Sequence, residues 1–295
     1  MSEQQIEYGT TGKPHPFHVP EPSIWPLMGA LAGGLFAMGM VLYMHDVQIF
    51  GMSIGLIGPI VGVGAILGVM WYWWKDVLME SLVKGKNEHS PIVQIGFRYG
   101  MALFICSELM FFVAFFWAFF DASLFVDQAN EVLKMDYTQG QWPPVGIEVL
   151  GAFGLPLLMT MILLLSGCTV TWAHYEITQG NQKDATKALG LTVLLGAIFM
   201  AFQVYEYTHV AFGFTEGVYP STFFMATGFH GFHVLVGTIF LAVCWIRSSK
   251  GHFTKERHFG FEAAAWYWHF VDVVWLFLFV AVYVWGNMIG MQAAG

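Results

Sequence analysis

The sequence predicts an all-α membrane protein with seven transmembrane helices. Three observations carry that expectation. Hydrophobic residues make up 57% of the 295 residues and charged residues only 11%, whereas soluble domains carry about 25% charged residues. Seven apolar stretches are each long enough, at about 1.5 Å rise per residue, to cross a hydrocarbon layer about 30 Å thick. Finally, the 12 Lys and Arg residues alternate loop by loop between the two sides, with only Lys134 on the poor side.

The opening, residues 1–22, reads as a polar tail without the basic-then-apolar pattern of a signal peptide. The first span is expected at Ile24–Met44. The second, Ile54–Trp74, is rich in glycine (Gly55, Gly58, Gly62, Gly64, Gly68), which permits close helix contact. The third, Phe97–Phe120, is dense in Phe and carries one acid, Glu108. Val149–Thr171, Ala188–Val210, Ser221–Trp245 and Ala263–Met288 complete the set. Pro59 and Pro156 are expected to kink their helices.

Lys13, Lys75, Lys84, Lys86, Arg98, Lys183, Lys187, Arg247, Lys250, Lys255 and Arg257 lie on one side. That side is the inner one, so the N-terminus is inside and the C-terminus outside. The longest outer loop, residues 122–148, is acidic (Asp127, Glu131, Asp136, Glu148) and contains Trp142-Pro143-Pro144. It reads first as a solvated loop facing the outer aqueous side, and alternatively as a patch that steers a basic partner. Trp71, Trp73, Trp74 and Lys75 form an anchor pattern at the inner interface.

Composition also excludes. The net charge of −8 is spread over loops and names no partner, and no nucleic-acid binding is expected. Cys106, Cys168 and Cys244 all fall inside apolar spans, so neither a disulfide nor a zinc site is expected. No phosphate-binding glycine loop, nucleophile elbow, Cys-x-x-Cys or zincin motif is present, and no catalytic residue or metal site stands out.

What chemistry there is lies inside the membrane. Glu108 sits near mid-span, where a charge costs about 3 kcal/mol or more. Its neighbours one turn away are Phe104, Ile105, Phe111 and Phe112, so its own helix offers no partner and the neutral acid is favoured. An intramembrane acid is a functional candidate by default; the alternative is a neutral Glu that donates one hydrogen bond as packing glue. His230 and His233 share a face of the sixth span. They read as hydrogen-bonded interhelical histidines, or as half of a metal or haem site that lacks its remaining ligands. In the seventh span Glu262 and His269 share a face, and His269 and Asp272 are spaced to pair. Spans three, six and seven are therefore expected to pack through Glu108, His230, His233, Glu262, His269 and Asp272, as a proton relay or as a structural network. Glu206, near the outer end of span five, reads as interfacial.

Six blocks of the chain resemble one family. They are SIWPLMGAL (Ser23–Leu31), WYWWKDVLMESL (Trp71–Leu82), RYGMALFICSELMFFVAFFWAFF (Arg98–Phe120), SGCTVTWAH (Ser166–His174), STFFMATGFHGFHVLVGTIFL (Ser221–Leu241) and HFGFEAAAWYWHFVDVVWLFLFVAVYVWG (His258–Gly286). In this order they are similar to subunit III of aa3-type cytochrome c oxidases, the haem–copper oxidases, across about residues 17–287.

The resemblance implies a subunit III domain over 23–287. It implies a two-helix bundle (23–75) and a five-helix bundle (97–288) separated by a V-shaped cleft filled with phospholipid. It further implies a non-catalytic core subunit with no redox centre of its own. Haem a, haem a3, CuA and CuB then belong to partner subunits, subunit I being the main contact, with subunit II and, through the complex, cytochrome c. A supercomplex with bc1 is left open. In that family the subunit sustains proton uptake by subunit I and protects the active centre against turnover inactivation.

Glu108 stands at the position of the family's carbodiimide-reactive acid. Trp73, Trp74, Lys75, Arg98, Arg247 and His258 match lipid headgroup contacts. Lys75 replaces an Arg common in relatives and gives up its bidentate phosphate geometry. The acidic outer loop and N-terminal extension favour a bacterial inner membrane, with the mitochondrial inner membrane as the alternative. Because both first helices are present, the cytochrome c branch is favoured over a quinol-oxidase subunit III. An independent proton-coupled transporter is the competing class, but the chain lacks the internal repeat that class shows.

Overall fold

A computed structural model describes residues 7–8, 14–15, 22–49, 52–53, 55–82, 91–126 and 138–285. Among these described residues, seven helices are long and apolar enough to cross a membrane. They are α1 (Trp25–Met44), α2 (Ile57–Leu82), α3 (Pro91–Leu124), α4 (Leu155–Gln179), α5 (Gln182–His209), α6 (Val218–Ser249) and α7 (Phe259–Leu278). A π-helical turn, Phe279–Val284, continues α7 without a break. The only strands among the described residues are two two-residue antiparallel ladders, Glu7–Tyr8 with Pro14–His15 and Gln48–Ile49 with Met52–Ser53. Lys13, Lys84, Lys86 and the acidic-loop residues Asp127, Glu131, Lys134 and Asp136 lie outside the described residues.

The chain divides into two compact units, residues 1–96 and 97–295. In the first, α1 and α2 form a hairpin whose contact depends on missing side chains. A Cβ at Gly39 would strike the backbone of Gly58 and Pro59, and one at Gly62 would strike Phe36. Such small-residue contacts replace the hydrophobic drive that lipid removes. At the far end Trp25 stacks on Tyr72 at 6.3 Å, and its indole N–H donates to Asp76 Oδ2 at 2.7 Å.

In the second unit α4, α5, α6 and α7 pack in sequence, and α7 closes back onto α4. Trp268 and Trp275 of α7 are fully buried. Each indole satisfies its N–H on an α4 hydroxyl, Ser166 at 2.8 Å and Thr160 at 2.9 Å. Trp142 of the loop before α4 is also buried, between Phe119 and Tyr219, so this part of the loop is folded against the bundle.

Two expectations change. Pro59 and Pro156 do not kink helix interiors; both sit in the first turn, of α2 and α4, where a missing N–H costs nothing. Helix α5 begins at Gln182, ahead of the apolar stretch from 188, because Asn181 caps it by accepting from the Asp184 N–H. Gly180, at φ 80°, ends α4 two residues earlier and turns the chain back.

Candidate functional site

Glu108 and His233 meet across α3 and α6, with Oε2 2.9 Å from Nε2. The histidine side chain is 7% exposed and the glutamate 24%. Rings of Phe111, Phe112, Phe270 and Tyr267 surround the imidazole, Phe112 at 4.8 Å.

The hydrogen bonds fix what this pair contains. His233 Nδ1 lies 2.7 Å from the Phe229 carbonyl oxygen, which can only accept, so Nδ1 carries a proton. A neutral ring then presents a bare Nε2 to Glu108, and the bond at 2.9 Å needs a proton from the acid. The alternative is a doubly protonated ring facing a carboxylate. Either way the two groups together hold one shared proton and no net charge, which is how a titratable pair is accommodated at this depth.

The six residues expected in one network fall into separate contacts. His230 Nε2–H donates to the Val271 carbonyl at 3.2 Å, with its ring against Phe199 and Trp275. Glu262 pairs with Arg98 in a fork, Nε at 3.0 and 3.1 Å and Nη2 at 2.9 Å, beside the stacked rings of Phe97 and Phe259. His269 and Asp272 approach to 3.7 Å, within ion-pair range but too long for a direct hydrogen bond. Thr171 of α4 completes that cluster, its Oγ1 3.2 Å from His269 Nε2. Helix α4 thus enters where only spans three, six and seven were expected.

A further acid was misjudged from sequence. Glu206 is 2% exposed and packed inside the bundle, not interfacial. Its Oε2 accepts from Gln203 at 3.0 Å and from the Tyr283 hydroxyl at 2.9 Å. The signal available was Gln203 one turn before Glu206 in an apolar helix, a pair that shares one face.

The candidate headgroup residues fall in both units. Trp73, Trp74 and Lys75 are exposed on α2 of the first unit. In the second, Arg98 remains 41% exposed beyond its fork with Glu262. The Arg247 guanidinium lies 4.6 Å over the Phe253 ring. His258 donates Nδ1–H to the Thr254 carbonyl at 2.9 Å and sits edge-on to His174. Among the described residues no group of three or more His, Cys, Asp and Glu side chains is arranged to hold a metal ion.

A model of the family described as cytochrome c oxidase subunit III matches residues 15–287. A cytochrome c oxidase subunit 3 of Marchantia polymorpha is 52% identical over 273 residues, 92% of this chain and 97% of the relative. One of Arabidopsis thaliana is 52% identical over 276 residues, 93% and 98% of the two chains. One of Cyprinus carpio is 50% identical over 273 residues, 92% and 98% of the two chains.

Proposed function

Starting from the fact that the chain belongs to the cytochrome c oxidase subunit III family, a multi-pass membrane component of an oxidoreductase complex, we propose that it is a non-catalytic core subunit. It supports electron transfer from cytochrome c to O2 coupled to proton translocation. The redox centres (haem a, haem a3, CuA and CuB) reside in partner subunits I and II, and subunit I makes the main contact. This chain sustains proton uptake by subunit I and protects the active centre during turnover. The N-terminus faces inside, and the membrane is a bacterial inner membrane.

The observation that carries the site reading is the Glu108–His233 pair. In one of the two forms open to this pair the shared proton sits on Glu108, and that neutral carboxyl is the form with which a carbodiimide reacts. Phospholipid headgroups bind at two places. Trp73, Trp74 and Lys75 serve the first unit. Arg98, Arg247 and His258 serve the second, where the fork to Glu262 leaves part of the Arg98 guanidinium exposed.

The test is purification through a tag on this chain after gentle solubilisation, with native mass and visible spectrum recorded before and after stripping the partners. The expected result is a haem-rich complex that yields a colourless chain. A chain that migrates alone, or keeps haem by itself, refutes the reading.

A further inference from the structure

Gln203 and Glu206 lie one turn apart on α5, and each is 2% exposed. The Gln203 amide donates Nε2–H to Glu206 Oε2 at 3.0 Å, and the Tyr283 hydroxyl donates to the same oxygen at 2.9 Å. The other oxygen of each group is left over. Gln203 Oε1 and Glu206 Oε1 are both buried, and among the described residues neither has a hydrogen-bond partner.

Both leftover atoms are acceptors on bonded neighbours, so a single proton between them satisfies the two at once. An ionised Glu206 would instead leave a charge unmatched inside the bundle. The titratable groups around it are the phenols of Tyr207 on α5, Tyr219 on α6 and Tyr283 after α7, and none of these is a cation. The Tyr207 hydroxyl is engaged with Thr227 at 2.7 Å. His209, one turn further along α5, is exposed and donates Nδ1–H to the Tyr205 carbonyl. From the start of α4, Leu155 and Pro156 bring only apolar surface.

We propose that Glu206 is a proton-binding site separate from the Glu108–His233 pair, holding a proton on Oε1 and donating it to Gln203 Oε1. Together with the Nε2–H bond already present, the planar carboxyl and the planar amide close a ring of two hydrogen bonds, and both leftover oxygens are used. The ring fixes the carboxyl in one orientation and keeps Oε2 turned to Tyr283. This proton therefore sets the contact between α5 and the π turn after α7. The competing arrangement is an ionised acid with a buried water donating to both oxygens. It satisfies the oxygens and leaves the charge without a cation.

The test is infrared spectroscopy at neutral pH on the purified membrane complex that carries this chain, wild type against variants. Glu206→Gln replaces the acid O–H by an amide N–H of the same shape, which can donate to Gln203 Oε1 in its place. It is expected to assemble, to dissociate at an unchanged temperature and to lose one carboxylic C=O band. Gln203→Leu is expected to keep that band and move it to higher frequency, because the carboxyl loses both bonds of the ring. Gln203→Glu keeps the shape of the pair and is expected to add a second carboxylic band, since two acids close the same ring with two protons. It decides the question where Gln203→Leu does not assemble. No carboxylic band lost in Glu206→Gln shows an ionised acid and overturns the proposal. Failure of Glu206→Gln to assemble does so as well, because a neutral isostere should fit. A band that stays in place in Gln203→Leu, or a carboxylate band instead of a second carboxylic one in Gln203→Glu, shows that the proton is not shared with position 203 and overturns it too.

Discussion

Replacing Glu108 tests whether its proton is what holds α3 to α6. His233 spends its Nδ1 proton on Phe229, so Nε2 and Glu108 share the one remaining proton, and a neutral ring needs Glu108 as its donor. Leucine at 108 keeps the volume and removes the donor. It leaves Nε2 bare in a side chain that is 7% exposed and walled by aromatic rings. An unpaired buried acceptor costs about 1–3 kcal/mol in water-soluble proteins. Polar contacts in bilayers average about 0.6 kcal/mol because the separated helix finds other partners. For this enclosed site we expect about 1 kcal/mol, or about a fivefold increase in local opening.

Glutamine keeps an N–H that can point at Nε2, so its cost is expected to be well below that of leucine. The assay is amide hydrogen exchange across 225–240 of α6 in the detergent-solubilised complex. Glu108→Leu should speed exchange about fivefold and Glu108→Gln less than about twofold. Carbodiimide labelling should vanish in both. Equal exchange in wild type and the leucine variant refutes the donor argument, and equal exchange in leucine and glutamine shows that volume, not the proton, matters. Labelling that persists in both variants points to another acid.

Four further outcomes follow from the geometry. Arg98→Lys loses the two-pronged fork to Glu262; because Arg98 is 41% exposed, the stability cost is held to about 1 kcal/mol, and the clearer readout is a fall in co-purifying phospholipid. Gly167→Ala drives a methyl into the Asp272 carboxyl and should cost about 1–3 kcal/mol in a thermal dissociation assay. Gly62→Ala presses on the Phe36 backbone and should splay the α1–α2 hairpin, read as faster proteolysis between them. Burial, followed by the cations Arg247 and Lys250, holds His252 below its ordinary value of 6.5. The fold therefore resists its protonation, and the stability this group contributes is present above about pH 6.5 and lost as pH falls below it. His252→Asn should flatten that acid-side decline in a melting series.

Seven spans were legible because hydrocarbon imposes a length and forbids charge, and both rules are written into single residues. The helix ends were not. Gln182–Lys187 is polar, so hydropathy stops at 188, although the Asn181 cap makes the segment helical. Short-range pairs such as His269 and Asp272 were readable from one-turn spacing. The partner of Glu108 was not, since 125 residues separate it from His233 and several polar groups were eligible. Glu206 was misread because its cover, Tyr283, comes from a helix 77 residues later. The part played by α4 was hidden because Thr160, Ser166 and Thr171 look like small packing residues until indoles and an imidazole are set against them.

The π turn at Phe279–Val284 amounts to one spare residue in an otherwise α-helical rod. Removing a single residue inside a packed helix normally rotates everything beyond it by about 100°. Here a one-residue deletion before Tyr283 would let the turn relax into ordinary α geometry, and the strain of such a deletion would be small. The aim is kept as well: with the spare residue gone the flanking residues hold their facing, and the tyrosine hydroxyl stays on the side of Glu206, where Gln203 is the other donor. Among relatives, a chain one residue shorter at this point can therefore keep both the tyrosine and the acid on α5.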